Sequence, residues 1–411
     1  MWLPRSAASW AGGLVAARGV RGFADGLASV ILPAYLVALG HGPFEVGVLV
    51  TAALLGSAAL TLLVGLAGQR VPPRLVLLAA CGLMALTGAG FGLLSDFAPL
   101  LVVAFVGTLN PSAGDVSVFL PTEQALLAEG SAAEDRTALF ARYNLAGGLA
   151  SALGALAAGV PGLVAVALGG EPLDGHRAAF GIYVVAACVL VACYRPLARA
   201  GASPAAAAGP GPAPRARPLA TSRRVVFRLA ALFSLDSFGG GFAVQSLLAL
   251  WLFQRFDLSL EAAGAIFFAA NALSALSQLA SPWLAARIGL VRTMVFTHLP
   301  ANAFLVLAAF MPDAPSAVVC LLLRMAFSQM DVPARQSLVM ALVPPAERAA
   351  AASVTNVPRS LATALAPSLA GAMLGASSFG WPLVCGGLLK IAYDLAFFAG
   401  FRTREARPQS D

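Results

Sequence analysis

Apolar residues are grouped along the chain in long runs that short polar stretches separate. A helix crosses the hydrocarbon core of a bilayer with about 20 apolar residues, and segments of that kind recur throughout the sequence. Twelve of them fit, at 12–38, 43–67, 75–94, 98–126, 137–160, 178–195, 226–253, 261–284, 291–311, 315–342, 350–375 and 381–401. The pattern therefore predicts an all-α, polytopic membrane protein with twelve transmembrane helices.

Composition supports a bilayer location, because 59% of the 411 residues are hydrophobic and only 11% are charged. A soluble protein of this size needs more polar surface. The net charge of +7 comes from arginines near segment ends, which favours membrane orientation over a nucleic-acid partner. With the amino terminus inside, the cytoplasmic stretches hold 17 arginines and the outer loops hold two. Because no signal-peptide cleavage site follows the first ten residues, we expect a plasma-membrane protein with both termini cytoplasmic.

The stretch between the sixth and seventh segments is rich in Pro, Ala and Gly, and it carries arginines but no acid. Such a composition is typical of a disordered, solvated linker. It predicts an N-terminal bundle of six helices at 1–195, a cytoplasmic linker at 196–224, a C-terminal bundle at 225–401 and a cytoplasmic tail at 402–411.

One polar stripe occurs twice, once from Thr108 and again from Arg324. The offset between the copies is 216, and after four extra residues in the first copy it becomes 212. Four residues are close to one helical turn, so both parts of the stripe keep one helix face. Duplicated halves are typical of transporters. The aligned positions include Thr108 with Arg324, Ser112 with Ser328, Asp115 with Asp331 and Glu123 with Arg335.

Ionisable side chains inside the membrane are costly, so they face a bundle interior or an aqueous cavity. Here they concentrate in the first, fourth, seventh and tenth segments, whereas the second, third, sixth, eighth and ninth segments have none in their interiors. We predict that this set forms the substrate and proton pathway: Arg21, Asp25, Asn110, Asp115, Glu123, Asp236, Arg324, Asp331 and Arg335.

Two loops carry a recognisable motif. The loop after the second segment reads Gly65-Leu-Ala-Gly-Gln69-Arg70-Val-Pro72-Pro73-Arg74, and the loop after the eighth contains Ala286-Arg287-Ile-Gly289 and Arg292. Both resemble the G-x-x-x-D-R-x-G-R-R loop of the major facilitator superfamily, with Gln69 and Ala286 in the place of Asp. The resemblance implies two six-helix bundles, alternating access, a monomer, and a central cavity lined by the four charged segments. It also implies a conformational role for Gly65, Gln69, Arg70, Arg74, Arg287 and Gly289, and a simple anchoring role for the two loop arginines is the alternative.

The spacing of 4, 3 and 4 residues places Arg324, Ser328, Asp331 and Arg335 on one helix face. Such a stripe suits an anionic or hydrogen-bonding substrate, and a self-contained pair of Asp331 with Arg335 is the alternative. At an offset of 215, Arg21 aligns with Asp236. We therefore hypothesise that Arg21 meets Asp236, and Glu123 meets Arg335, across the pseudo-twofold interface in one access state.

Protons are the expected coupling ion, because a carboxylate with a raised pKa is able to carry them. Asp25, Asp115 and Asp236 are the candidates, and Asp115 ranks first. We interpret His298 as a packing residue rather than a proton carrier. Arg359 on the eleventh segment, and Lys390 and Asp394 on the twelfth, are interpreted as interhelical braces.

The sequence as a whole predicts a secondary transporter that moves a small organic or drug-like solute, with proton-coupled efflux favoured. An uptake symporter and a non-transporting receptor are the alternatives. No Ser, His and acid set indicates an enzyme, and we expect no cofactor. The five cysteines lie in apolar segments, where packing explains Cys188 and Cys193 better than a soft-metal site does.

Overall fold

The computed structural model describes residues 4, 6–67, 71–112, 117–199, 219, 222–344 and 347–402, and within them helices are the regular structure, without strands. In chain order the helices are α1 (Ala11–Ala38), α2 (Pro43–Ala67), α3 (Pro73–Leu93), α4 (Phe97–Val106), α5 (Phe119–Glu129), α6 (Ala133–Leu156), α7 (Val160–Ala167), α8 (Pro172–Cys193), α9 (Arg195–Arg199), α10 (Arg223–Gly241), α11 (Gln245–Phe256), α12 (Leu260–Ser277), α13 (Ser281–Ile288), α14 (Leu290–Phe310), α15 (Ala314–Ser328), α16 (Asp331–Leu342), α17 (Arg348–Ala376) and α18 (Trp381–Phe401).

The predicted number of membrane segments is consistent with this fold. Nine helical stretches among the described residues are long and apolar enough to cross a membrane. The shorter apolar helices α4 and α15 and the 29-residue α17 bring the number of segments to twelve. Most of the predicted linker lies outside the described residues.

Three predicted segments, the fourth, seventh and tenth, are interrupted by non-helical residues, which corrects the sequence interpretation. The fifth and eighth stay helical but contain a 3₁₀ turn, at Ala157–Gly159 and Gln278–Ala280, respectively. The segment predicted at 98–126 stops at Val106 and resumes with α5 at Phe119, because Gly107 is extended (φ −78°, ψ −172°) and Pro111 has no N–H to donate. The seventh segment breaks between α10 and α11, directly after a run of three glycines.

The tenth segment breaks between α15 and α16. Pro333, in the first turn of α16, cannot donate a hydrogen bond to the carbonyl of Gln329, so an uninterrupted helix would lose a bond there. The starts of α5 and α16 differ by 212 residues, which is the offset of the second part of the repeat. The duplicated stripe thus contains a duplicated helix break.

Glycines bring the helices of each half into backbone contact. In the first half, a Cβ added at Gly26 of α1 would lie 2.0 Å from the carbonyl oxygen of Ser151 on α6. In the second half, a Cβ at Gly241 of α10 would lie 2.3 Å from the carbonyl oxygen of Thr363 on α17. Small residues at such crossings allow close helix packing. The helices α1 and α6 therefore correspond to α10 and α17.

The two halves meet mainly at the bundle end that lies opposite the chain termini. There α2 packs on α17, where a Cβ at Gly47 would lie 2.4 Å from the carbonyl oxygen of Pro367. The Ser368 backbone N–H donates to Thr51 Oγ1 over 3.0 Å. These residues lie near the start of α2 and the end of α17.

Two further contacts lie at the same end. Gln245 Nε2, at the start of α11, donates to Ser29 Oγ on α1 over 2.9 Å. Ser246 donates from both its backbone N–H (3.2 Å) and its hydroxyl (2.6 Å) to the carbonyl oxygen of Pro111, in the break between α4 and α5. The interrupted segments of one half thus bond directly to those of the other.

Candidate functional site

The first charged centre is a buried ion pair between α1 and α5. The Arg21 guanidinium donates to both carboxylate oxygens of Glu123, over 2.9 and 2.7 Å. The side chains are 2% and 0% exposed, respectively. Two tyrosine hydroxyls, those of Tyr143 and Tyr194, also donate to Glu123. The carboxylate is therefore fully satisfied, as a buried charge requires.

The second charged centre lies in the other half around Asp236 of α10. Lys390 Nζ on α18 donates to Asp236 Oδ1 over 2.6 Å, and Arg335 NH1 on α16 lies 3.5 Å from Oδ2. The same arginine nitrogen lies 3.3 Å from Asp331, one helical turn away. Arg359 Nε on α17 donates to Ser237 Oγ beside this group over 2.8 Å.

His298 and Asp394 extend this centre to α14. His298 Nδ1 lies 2.8 Å from Asp394 Oδ1, and its Nε2 lies 3.6 Å from Asp236 Oδ1. Asn302 Nδ2 donates to the second oxygen of Asp394 over 2.9 Å. His298 thus stands between two carboxylates and is only 4% exposed. We call Asp236, His298, Asp331, Arg335, Arg359, Lys390 and Asp394 the C-terminal charge cluster.

The ion pairs differ from those that the sequence hypothesis proposed. In this structure Arg21 pairs with Glu123 and Asp236 pairs with Arg335, so each pair forms inside one half and not across the pseudo-twofold interface. The repeat alignment itself holds, because the two pairs occupy aligned positions with reversed sign. The repeat alignment predicts which positions carry charge, but it does not predict which charges pair. In this structure each charged residue pairs with an opposite charge on its own bundle.

His298 is buried and hydrogen-bonded, as expected of a satisfied packing residue, and in addition both ring nitrogens face carboxylates. The signal that points to this site is a second polar residue, Asn302, four positions later on the same helix face. Lys390 and Asp394 join α18 to α10 and α14, respectively, so their contacts agree with the interpretation as braces.

Asp25 lies one turn beyond Arg21 on α1 and is 4% exposed. The Tyr183 hydroxyl on α8 lies 3.3 Å from Asp25 Oδ1 and 3.0 Å from the carbonyl oxygen of Thr108. Asn110, in the helix break, is a second hydrogen-bonding neighbour of Asp25. The structure thus brings Asp25 and Asn110 together, whereas Asp115 lies outside the described residues.

Arg324 lies apart from the C-terminal charge cluster, so the predicted stripe is divided. Its NH1 contacts the thioether sulfur of Met325 at 3.4 Å, and its buried Nε has no hydrogen-bond partner among the described residues. The Ser328 hydroxyl also lies near that sulfur, at 3.8 Å. Asp331 and Arg335 instead form the pair that the alternative interpretation proposed.

The loop-motif residues are described only in part. Gln69 and Arg70 lie outside the described residues, Gly65 lies in the last turns of α2, and Arg74 is exposed in the first turn of α3. Arg287 stacks on the Trp283 ring at 4.2 Å from its centroid, which agrees with an anchoring role. Gly289 has φ +87°, a conformation that glycine adopts without strain and that separates α13 from α14.

A metal site does not emerge from the described residues, which contain no group of three His, Cys, Asp or Glu side chains suited to hold an ion. Of the two cysteines considered at the sequence level, Cys188 is exposed on α8 and Cys193 is partly buried at its end. Both occur as free thiols.

Comparison with known proteins places this architecture in a class. The family model of the Major Facilitator Superfamily matches residues 14–367. The chain therefore belongs to the Major Facilitator Superfamily, a family of membrane transporters. An uncharacterised membrane protein of Saccharomyces cerevisiae is 25% identical to it over 410 residues, covering 93% of this chain and 92% of the yeast protein.

Solved structures share the fold at low sequence identity. A bacterial homologue of the human lysosomal transporter Spinster, inward-facing and unoccupied, has a TM-score of 0.74 at 14% identity and covers 97% of this chain and 98% of its own. A D-xylose–proton symporter has a TM-score of 0.71 at 15% identity and covers 94% and 97%, respectively. At these identities the likeness concerns the fold alone.

Proposed function

We propose that this protein is a proton-coupled secondary transporter that moves a small organic solute across the plasma membrane by alternating access. The observation that carries the proposal is the duplicated ion pair: each half buries one pair at repeat-related positions with reversed sign. Duplicated halves around a central site are the architecture by which transporters expose one site to either side in turn. A static membrane scaffold has no need to bury such costly groups.

The orientation follows from the arginine bias, with both termini in the cytoplasm. In that orientation the contacts of α2 with α17 and of α1 with α11 lie at the extracellular end. The structure then corresponds to a state closed to the outside. The likeness to an inward-facing Spinster homologue agrees with this assignment.

Proton coupling is supported by the setting of His298. In the described part of the cluster, three carboxylates (Asp236, Asp331 and Asp394) face three basic side chains (Lys390, Arg335 and Arg359). A neutral His298 leaves this set balanced, whereas a proton taken up between two carboxylates adds one charge. The Tyr393 ring, edge-on to the imidazole at 6.0 Å, is the other titratable neighbour on α18. An imidazole ring is able to take up and release a proton, which suits it to this role.

The coupling mechanism follows from these contacts. Since His298 joins α14 to α10 and α18, a change in its charge alters the contacts between helices of one half. Loss of the proton weakens its bonds to Asp236 and Asp394 and so favours a rearrangement of α10. Asp25, held near Tyr183 in the other half, is the second candidate carboxylate.

We propose efflux as the direction, because the run Ala366-Pro367 to Gly371 in α17 resembles the Gly-Pro motif of the antiporters of this superfamily. A proton symporter that takes up solute is the second candidate, and the likeness to the D-xylose–proton symporter favours it. The direction of flux in inverted vesicles separates the two. The monomer is the proposed working unit.

The experiment is flux in proteoliposomes with an imposed pH gradient, using a panel of labelled organic solutes. We expect accumulation against the solute gradient with the wild-type protein, and exchange without accumulation with His298→Asn. A matched control is His41→Asn, which changes an outer-loop histidine bonded to the Ser95 carbonyl at 3.2 Å. Accumulation that the proton gradient does not drive, or that His298→Asn leaves intact, contradicts the coupling. A wild-type protein that moves no solute in any gradient contradicts transport.

A further inference from the structure

Arg324 is a guanidinium held near the middle of the membrane with unused hydrogen-bonding capacity. It follows the start of α15 at Ala314 by ten residues, which at 1.5 Å per residue is about 15 Å, half of a hydrocarbon core of about 30 Å. No interfacial position is available to it at that depth. The charge must therefore be stabilised inside the protein.

The side chain points into the protein and not toward lipid. On α15 the residues at 319 and 323 form the exposed face, with Val319 55% and Leu323 39% exposed. Arg324 lies on the opposite side with Ala317 and Leu321, which are 0% and 4% exposed. Unlike them it is only partly buried, so part of its surface remains accessible.

The described residues leave the charge and most hydrogen-bond donors of Arg324 without a partner. Within the described residues no carboxylate lies within ion-pairing distance of it, in contrast to Arg21 and Arg335, which each have one. In the part of the chain that the structure describes, its one side-chain hydrogen bond is to a thioether, a weak acceptor, and its Nε has no partner. A buried guanidinium donor without a partner costs more than an ordinary unmade hydrogen bond. A protein retains such a group where a ligand completes it.

The repeat supplies an independent observation. Thr108 occupies the position of Arg324 in the other half, and no described residue makes a hydrogen bond to its buried hydroxyl oxygen. Both positions lie beside the helix breaks, where transporters of duplicated design place their substrates. Ser328, one turn from Arg324, adds a hydroxyl whose side-chain contact is a sulfur at 3.8 Å. All of these groups can donate hydrogen bonds, so the ligand that suits them is an anion with several acceptor oxygens.

We infer that the transported solute carries an anionic group, a carboxylate or an oxyacid group of phosphorus or sulfur, which Arg324 binds at mid-membrane with Ser328 as a neutral donor. The inference rests on the proposed function and names the substrate class of that transporter. The planar guanidinium fork matches two oxygens of such a group. The C-terminal charge cluster is not the anion site, because its own carboxylates already occupy Arg335 and Lys390.

The test is binding, measured as the melting temperature of the purified full-length protein in detergent, because binding reads out the site without flux. The probes are sodium benzoate and sodium phosphate against sodium chloride of equal ionic strength, with benzamide as the uncharged match to benzoate. We expect at least one of the two acids to raise the wild-type melting temperature and benzamide to leave it unchanged. Arg324→Gln should weaken binding of that acid by about 10- to 100-fold, since it removes charge-assisted hydrogen bonds.

A second readout needs no ligand. Because Arg324 lacks a carboxylate partner, Arg324→Gln should melt at or above the wild-type temperature, whereas Arg335→Gln, which strips a partner from Asp331 and Asp236, should melt clearly lower. Arg255→Gln, at an exposed position, controls for the loss of one charge.

Four results overturn the inference: destabilisation by Arg324→Gln equal to that by Arg335→Gln, an equal effect of benzamide, retention of the acid effect in Arg324→Gln, or no effect of either acid on the wild type. Flux of uncharged solutes together with any of these overturns the substrate class and leaves transport intact. Anion binding without flux in any gradient overturns transport and leaves the binding site.

Discussion

The pair of Arg21 with Glu123 offers a quantitative test of how this fold buries charge. Glu123→Gln removes the carboxylate that two arginine nitrogens contact at 2.7 and 2.9 Å and leaves Arg21, 2% exposed, without its counter-ion. Removing one partner of a buried pair costs about 3–5 kcal/mol, mostly because the remaining charge stays buried. Arg21→Gln should cost a similar amount for the mirrored reason.

The double variant removes both charges together, so it should be less destabilised than the sum of the single variants. Directly bonded residues couple by about 0.5–3 kcal/mol, and a bidentate pair at this burial belongs at the upper end. The same cycle for Arg21→Gln with Asp236→Asn should be additive within about 0.5 kcal/mol, because these two groups belong to separate clusters.

The assay is reversible unfolding in mixed micelles, followed by circular dichroism, with all variants at one pH. Glu123→Asp is the matched control, since it keeps the negative charge and only shortens the side chain by one methylene group. A larger coupling between Arg21 and Asp236 than between Arg21 and Glu123 would refute the pairing within halves and restore the pairing across the interface.

Three other perturbations test the proposed state and coupling. His298→Asn should abolish accumulation driven by a pH gradient yet preserve solute counterflow at symmetric pH, because it removes the titratable ring between Asp236 and Asp394. Gly47→Val, whose Cβ would lie 2.4 Å from a carbonyl oxygen of α17, should force the halves apart at the end opposite the termini, and thiol labelling of a cysteine placed there should become faster. Thr51→Cys with Ser368→Cys, in a background without the five native cysteines, should cross-link on oxidation and stop transport until reduced, since the Ser368 backbone nitrogen lies 3.0 Å from Thr51 Oγ1 and the two residues are therefore neighbours across the interface. Free transport by the cross-linked protein would contradict the proposed state.

Helix number and location were predictable because the cost of placing polar backbone and side chains in hydrocarbon is a local property of each segment. The repeat was also visible, since duplicated halves keep the spacing of their polar residues. The interiors of α1, α10 and α16 accordingly contain the charges that the sequence placed there.

The helix breaks were not predictable from hydropathy, because a mean over a segment does not register which backbone bonds are missing. Residues 107–112, which follow α4, are stable outside a helix because distant groups bond to their carbonyl oxygens: those of Thr108 and Pro111 accept from Tyr183 and Ser246, respectively. These donors are 75 and 135 residues away along the chain. A contact between residues so far apart in the chain cannot be predicted from the local pattern of apolar and polar residues.

The partners of charged residues were the second limit. His298 and Asp394 are 96 residues apart, and nothing in either segment alone shows that their side chains meet. Sequence spacing settles partners only within one helix, as for Asp331 and Arg335 at four residues.

The reversed sign of the two ion pairs has a mechanical consequence. If both halves had the cation at the same repeat position, a movement of the halves that kept their pseudo-twofold relation would bring two like charges together. Coulomb repulsion would oppose that movement. With the cation on α1 in one half and the acid on α10 in the other, related positions attract whenever they approach. The ion pairs within each half must break or weaken when the protein leaves this state, so they set the free-energy cost of that change. The reversed signs lower the free energy of the other access state, because the repeat-related charges attract each other there. A transporter needs both properties, because its two states must differ little in free energy while each remains defined.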